Sequence, residues 1–175
     1  MSNKVSKLIR LISLIFLGSV THTAAANWQF GADVLRVASD KTKAVNVLVG
    51  VAGYQFKLSD KFSIQSDLSL GTGVKKRNVS GEGSKNKLKL TYYLSVSTLG
   101  RYQVTDNFFV VAGVIANKSR YKKTTKSGST ERNGKWRFGL NGGVGYQLNS
   151  AFSIGLSYGK TKDNAIWQAG LRYKF

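Results

Sequence analysis

The sequence predicts an all-β protein, an eight-stranded antiparallel transmembrane β-barrel, and three observations predict it. Apolar and polar residues alternate with period two over most of the chain after residue 26, tight connections alternate with longer ones, and aromatic residues recur near the strand ends on the apolar face. At 175 residues the chain is long enough for one domain with a sizeable buried surface. It has no cysteine, which excludes a disulfide frame and any thiolate metal site, and no proline. No cofactor or metal cluster is expected.

The first 26 residues differ from the rest. Lys4, Lys7 and Arg10 make a basic start, the run LISLIFLGSV (11–20) is apolar, and Ala24 and Ala26 fit a small-residue cleavage rule. This is the pattern of a secretory signal cleaved after Ala26; a membrane anchor would need roughly 20 apolar residues, well beyond this ten-residue core. Residues 27–175 then form the barrel domain. Of the formal charge of +19, three positive charges and no negative ones leave with the signal, so the mature chain carries +16. The single histidine, His22, leaves as well, so Ser-His and Asp-His chemistry has no base and the chain reads as a non-enzyme.

Eight strands are expected, near 27–37, 44–56, 62–72, 88–103, 108–117, 135–148, 152–159 and 166–175. In the first, Trp28, Phe30, Ala32 and Val34 oppose Gln29, Gly31 and Asp33. In the third, Phe62, Ile64, Leu68 and Leu70 oppose Ser63, Gln65, Asp67 and Ser69. The fourth sets Leu88, Leu90, Tyr92, Leu94, Val96 and Tyr102 against Lys89, Thr91, Tyr93, Ser95, Arg101 and Gln103. Trp136, Phe138, Leu140, Val144 and Tyr146 share a face in the sixth, as do Phe152, Ile154, Leu156 and Tyr158 in the seventh. The last alternates Trp167, Ala169, Leu171, Tyr173 and Phe175 with Gln168, Gly170, Arg172 and Lys174. Strands 44–56 and 108–117 are apolar on both faces, so valine content supports strand but their facing stays open. The tight turns are KLSDK (57–61), VTDN (104–107) and NSA (149–151); the other connections, 38–43, 73–87, 118–134 and 160–165, are read as loops.

Alternation alone does not say which face is outside, and a soluble barrel or sandwich also has eight antiparallel strands. The polar face is rich in Gly and Ser, which suits the cramped interior of an eight-stranded barrel, whereas the bulky residues lie opposite. With the signal and the terminal aromatics, the apolar face is assigned to lipid. Closure of the last strand on the first would also explain a chain that ends within a strand.

The terminal octet QAGLRYKF, through Gln168, Gly170, Tyr173 and Phe175, resembles the carboxy-terminal assembly signal of Gram-negative outer-membrane proteins. In size and layout residues 27–175 resemble the small eight-stranded outer-membrane barrels of the OmpX and Ail type and the opacity-type surface antigens. The resemblance implies the outer membrane as location and the barrel-assembly machinery as a partner; a monomer is expected. Members of that family include adhesins, serum-resistance factors and proteins without a settled role, so fold transfers and function does not.

The positive charge is concentrated at one end. Between 73 and 87, Lys75, Lys76, Arg77, Lys85 and Lys87 face a single Glu82; between 118 and 135, Lys118, Arg120, Lys122, Lys123, Lys126, Arg132 and Lys135 face a single Glu131. These residues are the candidate binding surface, for lipopolysaccharide phosphates or for an external polyanion such as a host glycan. Tyr121 alone makes no specific nucleic-acid motif. An envelope-stabilising barrel and a small porin-like channel are the alternatives. Inside, Asp33 and Asp67 are expected to meet Arg101, Arg137 or Arg172 in a charge network. The segments GTGVKK and GEGSK lack the strand-to-helix setting of a phosphate loop, and NVS and NKS carry no weight as glycosylation sites in a bacterial outer membrane.

Overall fold

The computed structural model describes residues 27–39, 42–74, 77–81, 84–125 and 128–175; the expected signal, 1–26, lies outside them. Ten strands are described: β1 (Trp28–Ser39), β2 (Thr42–Lys57), β3 (Phe62–Gly73), β4 (Arg77–Gly81), β5 (Ser84–Gln103), β6 (Phe108–Thr125), β7 (Gly128–Asn133), β8 (Arg137–Gln147), β9 (Phe152–Thr161) and β10 (Asn164–Lys174). All pairings are antiparallel. β3 and β4 both pair with β5, and β7 and β8 both pair with β6, so the ten strands form eight staves. β10 pairs with β1 from Gln29↔Lys174 to Ser39↔Asn164, and β5 pairs with β6, which closes the ring. The carboxy-terminal strand is therefore held by a full ladder on each side.

The bulky apolar residues point outward. Trp28, Phe30, Val34, Leu68, Phe138, Leu140, Leu156, Trp167 and Leu171 are all exposed, far more apolar surface than a soluble monomer leaves uncovered. On β6 the outward column runs Phe108, Val110, Ala112, Val114 and Ala116 before reaching Lys118. Ten residues at about 3.3 Å each, tilted about 40°, climb about 25 Å, which matches the apolar band of an outer-membrane barrel. Aromatic residues mark its lower edge, where Phe30 packs edge-on to Phe175 at 5.5 Å and Phe152 lies 5.0 Å from Tyr173.

The three tight turns share one construction: Leu58-Ser59-x-x-Phe62, Val104-Thr105-x-x-Phe108 and Leu148-Asn149-x-x-Phe152. In each, the side-chain oxygen of Ser59, Thr105 or Asn149 accepts the N–H of the phenylalanine three residues on, at 2.8–3.1 Å. The preceding apolar residue donates its own N–H to that phenylalanine's carbonyl. The short polar side chain thus satisfies a turn donor locally, which a larger residue would not do. These turns, Asn27 and Phe175 lie at one end of the barrel, the periplasmic end in barrels of this kind.

The two strands of open facing are settled by burial. Val45, Val47, Val49 and Val51 of β2 and Phe109 and Ile115 of β6 face inward. They reveal an interior unlike the expected Gly/Ser lining over its extracellular half, where Leu35, Val37, Val45, Val47, Leu90 and Ile166 pack with Tyr93 into an apolar layer. Leu90 corrects the expected facing of the fourth strand. A register shift between Leu90 and Tyr92 puts Leu90 inside while Tyr92 stays outside, because a bulge adds one residue and reverses the alternation above it.

Below the apolar layer lies a charged one. Arg172 donates to both oxygens of Asp33, with Nη2 2.8 Å from Oδ2, and reaches Asp67 at 3.9 Å. Gln168 donates to Asp33, and Gln65 and Gln29 donate to Asp67 at 2.7 and 3.2 Å. Space for the carboxylates comes from glycine: a Cβ on Gly170 would overlap Asp33 Oδ1, and one on Gly53 would overlap Asp67 Oδ1. Arg101 and Arg137, expected in the same network, bond neither aspartate. Arg101 borders the same mid-barrel cavity but lies nearer the periplasmic end and bonds Gln147 at 3.0 Å, whereas Arg137 lies at the extracellular end with Nε 3.4 Å from Asp163.

Because two buried carboxylates rely on one guanidinium, Arg172→Met is expected to cost the lipid-embedded barrel about 3–5 kcal/mol, read from its urea-unfolding midpoint. Adding Asp33→Asn and Asp67→Asn to that variant should recover most of the loss, since no uncompensated charge then remains.

Candidate functional site: a basic extracellular rim

At the end opposite the tight turns, β5 and β6 continue beyond the apolar band. The segments 73–87 and 118–134, expected as loops, contain β4, the first part of β5, the last part of β6 and β7. Their sequence hid this because a strand standing in water needs no apolar face, so consecutive charges such as Lys122-Lys123 erase the alternation. The two hairpins are not separate. β4 pairs with β5, β5 with β6 and β6 with β7, giving one four-stranded blade above the membrane.

This blade collects the basic residues. Asn78↔Lys87 and Ser80↔Lys85 are paired in the first hairpin, Arg77 begins β4, and Arg132 sits opposite Tyr121 in the second. Between the hairpins Leu88 pairs with Lys123 and Lys89 with Lys122. Lys89 and Lys122 are thus like charges directly opposite each other, an arrangement that destabilises a sheet unless an anion lies between or beside them. Lys122 also faces Glu131 across the second hairpin. Lys135 is exposed in the link to β8. Lys75, Lys76 and Lys126 lie outside the described residues.

The side chains of β6 alternate sharply here. Asn117 and Ser119 are buried within the barrel, so Lys118, Arg120 and Lys122 form the outward column. Tyr92 is paired with Arg120 and Leu94 with Lys118, and these residues, with Thr91, Glu131 and Trp136, border an open groove of about 420 Å³ on the outer wall. Thr91 fixes the bulge by donating its hydroxyl to the Arg120 carbonyl at 3.2 Å. Lys118 stands at the top of the apolar band and Arg120 and Lys122 one and two steps above it, so the column points sideways at headgroup height. Cationic groups beside exposed Tyr92 and Trp136 give a surface that suits an anion attached to an apolar body.

The four residues of the terminal motif divide between the two faces of β10. Tyr173 and Phe175 are outward and stack edge-on at 4.8 Å, while Gln168 and Gly170 face the interior beside Asp33. Two features escaped the sequence reading. The bulge near Leu90 has no compositional mark, and the groove depends on the register between β5 and β6, which no local pattern encodes.

Fold and rim together define a membrane-spanning β-barrel with a cationic outer edge. The chain belongs to the outer membrane protein beta-barrel domain family, which it matches over residues 12–175. Among solved structures it is similar to Ail, the attachment invasion locus protein of Yersinia pestis, at 17% identity and a TM-score of 0.58, covering 85% of this chain and 96% of that one. Ail has also been solved in complex with the heparin analogue sucrose octasulfate, with the same coverage and score. Neisserial surface protein A is similar at 17% identity and a TM-score of 0.55, over 85% and 96% of the two chains. The N-terminal barrel domain of Pseudomonas aeruginosa OprF follows at 14%, 0.53, 87% and 100%. No curated protein sequence matches the chain. At these identities the solved structures speak for the fold.

If like-charge opposition strains the blade, Lys89→Glu should stabilise it by about 0.2–1 kcal/mol at low salt. Slower amide hydrogen exchange across 84–90 and 118–125 would register the change, and added salt should erase it.

Proposed function

We propose that this outer-membrane barrel is a surface-interaction protein whose basic rim binds anionic partners. The observation that carries the reading is the blade: two basic segments well apart in sequence are hydrogen-bonded into one sheet, with Lys89 opposite Lys122 and the Lys118, Arg120 and Lys122 column beside them. Opposed cations without enough carboxylates favour a multivalent anion, which neutralises several at once. The blade stands above the membrane and is open to a soluble or host-surface polyanion, whereas the lateral groove is at the height of lipopolysaccharide phosphates. The complex of Ail with a sulfated sugar makes heparin the first polyanion to test here.

Several further readings belong with this one. Residues 1–26 serve as an export signal cleaved after Ala26. Gln168, Gly170, Tyr173 and Phe175 serve the assembly machinery, although Gln168 and Gly170 also have the interior role described above. The barrel works as a monomer, and its role is binding rather than catalysis. A channel is disfavoured by the apolar layer of Leu35, Val47, Leu90 and Ile166 across the interior and by a mid-barrel cavity of only about 70 Å³.

Cells displaying the protein are expected to bind immobilised heparin with an affinity that falls steeply as salt rises. A variant carrying Lys118→Gln, Arg120→Gln, Lys122→Gln and Lys123→Gln, displayed at equal level, should bind at least tenfold more weakly and with a shallower salt slope. Equal binding by the two strains would defeat the polyanion reading and leave lipopolysaccharide contact with an envelope role. In planar bilayers the wild-type barrel should give no discrete conductance steps.

A further inference from the structure

The opposite mouth of the barrel holds a second set of cations with a different environment. A cavity of about 250 Å³ opens between the tight turns at the periplasmic end. Four cations line it, Lys57, Lys61, Arg101 and Lys174, against a single carboxylate, Asp60. Asp60 is 3.0 Å from Lys57, but its side chain is 99% exposed, so water largely screens the pair. Among the described residues no carboxylate pairs with Arg101 or Lys174.

Arg101 is the informative member. It is 8% exposed, and a charge so buried ordinarily has a counter-ion. Among the described residues its partners are neutral: the Phe109 ring, 3.5 Å beneath the guanidinium, and the side-chain oxygens of Gln147 at 3.0 Å and Gln103 at 3.5 Å. Gln147 is itself locked, its Nε2 donating to the carbonyl of Asn149 at 2.7 Å. Gln103, the last residue of β5, is in turn fixed by donating its Nε2 to the carbonyls of Thr105 and Asp106 at 2.9 and 3.2 Å. The guanidinium is thus pre-positioned at the cavity wall by groups that cannot neutralise it.

The other cations converge on the same space. Lys57 pairs with Ser63, and Ser63 pairs in turn with Arg101, so Lys57 and Arg101 flank one small hydroxyl on strands about 10 Å apart. Lys174 enters from the seam opposite Gln29. Deeper in, Asp33 and Asp67 present negative charge, so an anion entering from the periplasm is attracted at the mouth and repelled beyond it.

We infer that the periplasmic vestibule is a dead-end binding site for a small oxyanion of phosphate size, held by Arg101, Lys57 and Lys174 with the Ser63 and Ser153 hydroxyls at its wall. The site is independent of the extracellular rim. A volume of about 250 Å³ is small for a drug-sized ligand but ample for a phosphate or a short phosphomonoester.

The test uses the refolded barrel in zwitterionic nanodiscs at low ionic strength, with inorganic phosphate as probe and equilibrium dialysis as readout. Saturable binding of one phosphate per barrel is expected, weakened at least tenfold in the double variant Lys57→Gln, Lys174→Gln. It should be unchanged in the rim variant Lys118→Gln, Arg120→Gln, Lys122→Gln. Glycerol 3-phosphate should compete if phosphomonoesters are the natural ligands and should not if free phosphate is. Retained heat-modifiable mobility on gels shows that each variant is folded, and Arg101→Lys, which keeps the charge, should bind better than Arg101→Gln. Absence of saturable binding, equal binding by the vestibule double variant, or a loss seen only in the rim variant would overturn the inference.

Discussion

The structure depends on one constraint: inside a bilayer no water is available to satisfy a backbone N–H or C=O, so a sheet must leave no edge. Here that requirement falls on the seam between β1 and β10, where the first and last described strands meet. The side chains reinforce the seam on both faces. Outside, Phe30 and Phe175 pack across it; inside, Arg172 and Gln168 of the last strand hold Asp33 of the first. The same contact reaches Asp67 on β3, so closing the ring also positions charge in the middle of the interior. The strand β10 is thereby paired on both sides and tied through its side chains as well.

Closure divides the interior into layers with separate consequences. The apolar layer under the extracellular rim fills the bore with aliphatic side chains and isolates the rim from what lies below. The Asp33–Arg172–Asp67 layer sets two carboxylates against one guanidinium, with glycine supplying the room that the carboxylates need. The periplasmic layer is cationic and open. The two ends of the barrel can therefore carry different chemistry, with an apolar layer between them.

Much of this was legible in the sequence because lipid enforces alternation. Trp28 to Val34, Phe62 to Leu70 and Trp136 to Tyr146 each declare their outward face, since a misplaced polar residue would meet hydrocarbon. Where that pressure is absent the signal fails. The valines of β2 fit either face by chemistry, and only the register with β1 and β3 turns Val45, Val47 and Val49 inward. Above the membrane, the sequences of β4 (RNVSG) and β7 (GSTERN) carry no alternation of apolar and polar residues to read. The choice of Arg172 over Arg101 or Arg137 as partner of the two aspartates depends on height along the barrel axis, which sequence spacing does not give. The basic residues of the rim were visible one by one, but their union in a single blade was not.

The blade has a consequence for how such a protein can change over time. It is an extension of strands already in register, so adding or removing residues in matched pairs would alter its height while leaving every facing below it intact. The bulge at Leu90 marks the division between the two regimes: beneath it each position is constrained by lipid or by the filled bore, and above it only by pairing. Selection acting on the exposed part could thus rewrite its length and charge freely, while the spanning part stays nearly fixed. In this architecture the face shown to the outside is the cheapest portion to replace.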